Sequence, residues 1–165
     1  MNWLYFNVVK RLRPDIFGFI DHDCFPIQPY NVVHRLEGRD VFGVRQEATK
    51  VPGAWNLWAG FCFYRFPSIE NRAVDFKHRI EFGLDTGGGN WLGIYKATDL
   101  ERIAWAEEHV LDQSVELHKG LSTIIDDAFL HVGSASFRKD VQQQVADKIW
   151  NTYFGGISNR LLPAA

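Results

Sequence analysis

The sequence predicts an α/β fold, a mixed sheet flanked by helices. Three observations predict it. Residues 2–13, NWLYFNVVKRLR, set Leu4, Val8 and Leu12 at i, i+4 and i+8, with Tyr5 and Val9 beside them, which is the spacing of one helix face. Two apolar runs, Phe17–Ile20 and, inside the most apolar segment Trp55–Phe66, Phe61–Tyr64, have the aromatic and β-branched content of buried strands. Phe137–Phe154 returns to helical spacing, with Val141, Val145, Ile149 and Tyr153 on one face and Gly155-Gly156 as the stop.

Composition bounds the class. A chain of 165 residues, 46% hydrophobic and 15% aromatic, suits one domain over 1–165 with a real core, and it excludes a disordered segment. The net charge of −2 supplies no global basic field, so nucleic acid is not an expected partner. Two cysteines, Cys24 and Cys62, make no disulfide scaffold and point to a reducing, cytoplasmic setting. No apolar run reaches membrane-spanning length, and the N-terminus lacks the pattern of a secretion signal. Lys10, Arg11 and Arg13 give the first helix a basic end, which leaves peripheral membrane contact as a minor expectation.

The elements follow in order. Pro14 stops the first helix. Phe17–Ile20 then forms a short strand tipped by Asp21-His22-Asp23. A strand that buries its body and exposes its end can present acids in a crevice beyond the sheet. Two carboxylates there are hard oxygen ligands for Mg²⁺ or Mn²⁺, and such an ion can grip a diphosphate. Asn31-Val32-Val33 and Asp40–Val44 read as β-like pieces around a turn at Gly38-Arg39-Asp40, and Pro52-Gly53 marks another turn. In Trp55–Phe66, Trp55, Trp58, Phe61 and Phe63 read first as core, because aromatic rings bury so much area. Trp55 and Trp58 read second as the floor of an acceptor pocket, since rings stack on sugar faces.

Pro67 ends that strand, and Ser68 is the expected cap of a short helix to Val74. Asp85 or Thr86 is the expected cap of a helix running to Ala97. Asp85 also suits a base at the mouth of a site. Gly87-Gly88-Gly89 tolerates close approach of another molecule but matches neither a Walker loop nor a dinucleotide fingerprint. Arg102–Leu111 is expected to be helical, with Glu107-Glu108 solvated. Ser122–Val132 reads as one buried strand or two short ones, ending at His131 before the small-residue loop Gly133–Ser136. Asp126-Asp127 is a weaker acidic pair, because adjacent strand residues point to opposite faces. His22, His34, His78, His109 and His118 lack the context of His131 and read as solvent or core residues.

Taken together, FGFIDHDCFPI, WNLWAGFCFYR, GLDTGGGNW and FLHVGS resemble, in this order and over about residues 3–137, the C-terminal portion of a GT-A-type glycosyltransferase, family 2-like, with Asp21-His22-Asp23 in the place of the D-x-D motif. The resemblance implies an abbreviated GT-A (nucleotide-diphospho-sugar transferase-like) fold whose N-terminal nucleotide-binding strands are missing, and so a partial domain. It implies metal ligation of Mn²⁺ or Mg²⁺ by Asp21, Asp23 and His131, and donor contacts from Asp21, His22 and Asp23. It implies a catalytic base in Asp85 and acceptor contacts from Trp55, Trp58, Gly60, Thr86 and Trp91. The implied activity moves a sugar from a nucleoside-diphosphate sugar to an acceptor hydroxyl with inversion. Two alternatives stand beside it: a non-catalytic glycan- or partner-binding remnant of such a domain, and a metal-dependent phosphohydrolase using Asp21 and Asp23.

Overall fold

The computed structural model describes residues 1–110 and 122–132, together with 147, 151 and 152. Apart from those last three positions, the closing helix expected at Phe137–Phe154 lies outside the described residues, as do Gly133–Ser136 and Gly155-Gly156. The fold is mixed α/β, with one mixed and one antiparallel sheet. The chain divides into two compact units, Met1–Asp21 with Asn31–Glu107, and His22–Tyr30 with Glu108–Ala165.

In the first unit β1 (Ile16–Ile20), β3 (Val41–Glu47), β4 (Trp55–Arg65) and β5 (Ile103–Trp105) make a sheet of order β1-β4-β3-β5. β4 lies antiparallel to β1 and β3, and β5 runs parallel to β3. One face of this sheet carries the core, in which Phe17, Val41, Cys62 and Tyr64 pack with Tyr5, Phe66, Ile69, Phe76, Ile94 and Tyr95. Phe42, Phe61 and Phe63 form a ring cluster of their own. β4 changes face midway. Between the pairs Gly43/Cys62 and Arg45/Leu57, β3 advances two residues while β4 advances five. Trp55 and Leu57 therefore join the same core as Cys62 and Tyr64, and Trp58–Phe61 are lifted out of register with β3, as residues in a bulge are.

Several local expectations are corrected. The N-terminal helix forms as α1 (Asn2–Leu4), a π-helical turn (Tyr5–Val9) and α2 (Lys10–Leu12). The wide turn rotates the buried face, so Tyr5 is fully buried and Val9 packs on the core, whereas Leu4 and Leu12 are exposed. Asn31-Val32-Val33 is not strand: α3 (Val32–Arg35) starts there, with the Asn31 side chain accepting from the His34 N–H at 3.3 Å. The helix after β4 is α4 (Phe66–Ile69), with Pro67 in its first turn. Ser68 is thus not a cap and donates to Asp40 at 2.6 Å.

The helix expected from Asp85 to Ala97 is reduced to α5 (Asn90–Gly93) and a 3₁₀ turn, Tyr95–Ala97. Of the stretch expected to be helical at Arg102–Leu111, residues 103–105 and 108–110 are strand instead, as β5 and β6 (Glu108–Val110), and Leu111 lies outside the described residues. Pairing with β3 and, in the second unit, with β7 (Ser122–Ile125) overrides the helical leaning of Ala and Glu.

The second unit holds an antiparallel sheet of order β2-β8-β7-β6, built from β2 (Cys24–Pro26), β6, β7 (Ser122–Ile125) and β8 (Phe129–Val132). Ser122–Val132 is therefore two strands. Asp126 and Asp127 form the turn between them, both at positive φ (48° and 53°), closed by the Ala128 N–H on the Ile125 carbonyl. Two successive positive φ values are the mark of a type I′ hairpin. The Asp126 carboxylate is engaged by the Tyr30 hydroxyl. Among the described residues no helix is long and apolar enough to cross a membrane.

Candidate functional site

Asp21, Trp58, Gly60 and the Asp85–Gly87 loop of the first unit come together on one stretch of β4, Leu57–Gly60. Asp21 follows the last residue of β1 and extends its ladder, its N–H donating to the Gly60 carbonyl at 2.9 Å. Gly60 matters through what it lacks. A Cβ there would strike the Trp58 indole and would stand 2.7 Å from Asp21 Oδ2, so the missing side chain lets carboxylate and indole meet over the backbone. Asp21 is exposed and Trp58 is half-buried.

Asp85-Thr86-Gly87 approaches the same stretch. Gly87 has φ +94°, open to glycine and strained for other residues, and a Cβ on it would come within 3.1 Å of the Leu57 carbonyl. The buried Asn56 amide donates to the Leu57 carbonyl at 2.8 Å and to the Thr86 carbonyl at 3.4 Å, which ties the loop to the strand. Asp85 and Thr86 are exposed, and Asp85 Oδ1 accepts from the Thr86 N–H at 2.7 Å. The cap of α5 is Gly89, so Asp85 sits in a loop and not at a helix start.

The other two acceptor tryptophans are placed differently. Trp55 is only 4% exposed. It stacks on Tyr95 with ring centroids 4.8 Å apart, and the Arg45 guanidinium lies over it at 5.4 Å. That is the core reading of Trp55, with its faces already taken. Trp91 packs edge-on against it at 5.7 Å and is partly buried. An open cleft of about 590 Å³, lined by His34, Arg35, Arg39 and Trp105 among others, contains none of the expected site residues.

In the second unit the backbone brings Asp23 and His131 together. His131 faces Cys24 across the β2–β8 pair, and the Val132 N–H donates to the Asp23 carbonyl at 2.9 Å. Asp23 Oδ1 is buried without a hydrogen-bond partner. A buried carboxylate oxygen left in that state costs free energy unless something cationic or protic meets it. A carboxylate oxygen is a donor type that suits Mn²⁺ or Mg²⁺, while the register places Cys24, not Asp23, opposite the His131 side chain. Among the described residues, no group of three or more His, Cys, Asp or Glu side chains is placed to hold a metal ion. His22 is exposed.

Sequence reasoning missed three participants. Asn56 was signalled only as a polar residue inside the most apolar run of the chain. Thr123 and Glu108 flank His131: Thr123 Oγ1 donates to Glu108 Oε1 at 2.8 Å and lies 3.4 Å from His131 Nδ1. Recognising the Asp126-Asp127 turn would have found Thr123, because that turn fixes the register that sets it opposite His131.

Set against family models, curated proteins and solved structures, the chain matches none of them.

Proposed function

We propose that the protein is a metal-dependent glycosyltransferase that moves a sugar from a nucleoside-diphosphate sugar to an acceptor hydroxyl with inversion. The observation that carries this reading is the gathering of Asp21, Trp58, Gly60 and the Asp85–Gly87 loop on Leu57–Gly60 of β4. A carboxylate beside an indole, with a second exposed carboxylate on the adjoining loop, has the chemistry to seat a sugar and take its proton. In this assignment Trp58 stacks on a sugar face, Asp21 accepts hydrogen bonds from hydroxyls, and Asp85 takes the acceptor O–H proton as the new C–O bond forms and the bond to the diphosphate breaks. Asp23 and His131 would hold Mn²⁺ or Mg²⁺. Ions of this type bind through one or two carboxylates plus water and substrate phosphate oxygens, so a full cage of protein ligands is not required. When bound, the ion offsets the negative charge that develops on the leaving diphosphate.

The test is turnover of nucleoside-diphosphate sugars with Mn²⁺ by the full chain. Asp85→Asn is expected to lower the rate about 10²–10⁴-fold and Asp23→Ala about 10²–10³-fold. Rates equal to wild type in both variants would end the proposal.

A second reading is a non-catalytic glycan-binding remnant of such a domain. It is favoured by the lack, among the described residues, of any three-ligand metal group. Binding of a glycan, with no binding of any nucleoside diphosphate, would select it.

A further inference from the structure

Thr123 and His131 stand directly opposite each other in the β7–β8 pair, so their side chains share one face of the sheet. Val110 is opposite Thr123 on the other side, and Glu108, two residues along β6, lies on that same face. The three side chains form a row, with Glu108 Oε1 2.8 Å from Thr123 Oγ1 and Thr123 Oγ1 3.4 Å from His131 Nδ1. A hydroxyl has one proton to donate, and an ionised carboxylate can only accept. The short contact therefore takes the Thr123 proton to Glu108. What Oγ1 then turns toward Nδ1 is a lone pair, which is met favourably only by an N–H.

We infer that Glu108 and Thr123 fix the ring of His131 as the tautomer protonated on Nδ1, leaving Nε2 as the electron-pair donor. Thr123 is a positioning residue in this arrangement, and Glu108 acts through it. The purpose assigned to it rests on the reading of His131 as a cation ligand. Metal-binding histidines generally donate their second ring N–H to a neighbouring acceptor, which fixes the ring and strengthens the donor atom. The tautomer itself is a property of the metal-free chain and is tested without metal or activity.

The experiment is long-range proton–nitrogen NMR of the full chain labelled with ¹⁵N-histidine, at about pH 8, where an ordinary histidine of pKa ~6.5 is neutral. His131→Gln identifies the His131 signals among the six histidines. Expected in the wild type is a protonated Nδ1 and an unprotonated Nε2. Thr123→Ser keeps that pattern. Thr123→Val loses it, and Glu108→Gln, whose amide can donate to Oγ1, turns the proton toward Nε2. A wild-type ring protonated on Nε2, or a Thr123→Val spectrum unchanged at His131, overturns the inference. Mn²⁺ titration followed by electron paramagnetic resonance gives the second readout. Thr123→Val is expected to weaken Mn²⁺ binding about 10–100-fold, and Thr123→Ser to restore it. A wild type that shows the expected tautomer but binds no Mn²⁺ upholds the inference and removes the metal reading alone.

Discussion

Tyr64 and Tyr95 share a buried hydroxyl–hydroxyl hydrogen bond of 2.6 Å. Burial pushes both phenols well above their ordinary pKa, so neither ionises at any pH the fold experiences. Removing one hydroxyl strands the other in the core. Tyr64→Phe or Tyr95→Phe alone should cost about 1–3 kcal/mol, and the double variant less than the sum of the two, as read by urea denaturation. Cys62, in the same core, has its thiol pushed up to about 12 by burial, which suits a packing role rather than a reactive one. Asp40 is the opposite case. Burial alone would raise its carboxyl, but hydrogen bonds from Arg102 and Ser68, with the charges of Arg102 and Arg72, outweigh it and hold the group below the usual range. Its folded pKa is therefore lower than its unfolded value. The stability it contributes is fully present above the unfolded pKa of about 4 and disappears as pH falls through the folded value. Asp40→Asn should lower stability at neutral pH by about 1–3 kcal/mol. The gap to wild type should close on acidification, and a pH-independent gap in denaturation midpoints would contradict this account.

At the scale of the element, the second half of β4, Phe61–Tyr64, is the part most legible in the sequence, because its run of aromatic residues has no competing helical pattern, while the extension of the strand back to Trp55 was not read. The strand tipped by Asp21 was legible for the same reason. The first helix was legible as a helix but not in its orientation. Leu4, Val8 and Leu12 mark a face only if each turn takes about 3.6 residues, and the π-helical turn at Tyr5–Val9 breaks that count. Short elements such as α3 and β5 were misread because pairing and capping partners distant in sequence decide them. Of the candidate site, the carboxylates and Trp58 were visible as residue types. The loop geometry that gathers them was not, since it depends on Gly60 and Gly87 having no side chain. Gly60→Ala tests that geometry. The added methyl meets the movable ends of Trp58 and Asp21, so the fold should persist with a small change in melting temperature. Indole fluorescence should change, and the proposed glycosyl transfer should fall about tenfold or more, as misplaced groups cost rate steeply. The face change in β4 gives a second test. Three extra residues separate the paired halves of the strand. Deleting Ala59 alone leaves Leu57 four residues before Cys62, the same-face spacing of a plain strand, whereas deleting Ala59 and Gly60 together leaves it three before and turns Trp55 and Leu57 away from the core. The longer deletion should therefore lower the melting temperature more than the shorter one.

For the molecule as a whole, the feature that matters is the path of the chain. β2 leaves the first unit's sequence after Asp21 and pairs with β8, more than a hundred positions away. The backbone bonds that join them include Val132 N–H to Asp23 and Ile27 N–H to Ala128, both under 3 Å. If these strands open as one cooperative piece, native-state hydrogen exchange should give the amides of Phe25, Ile27 and Val132 the same opening free energy. Separate values would show that β2 frays alone. Such a distant partner also has a cost in time. A nascent chain is made from its N-terminus at roughly 5–20 residues per second, so the segment around Cys24 must wait about 5–20 s on the ribosome before its mate exists. For that interval Phe25 and its neighbours are an unmated, partly apolar ribbon, and protection by a chaperone would be needed earlier in this protein's life than at any point after release.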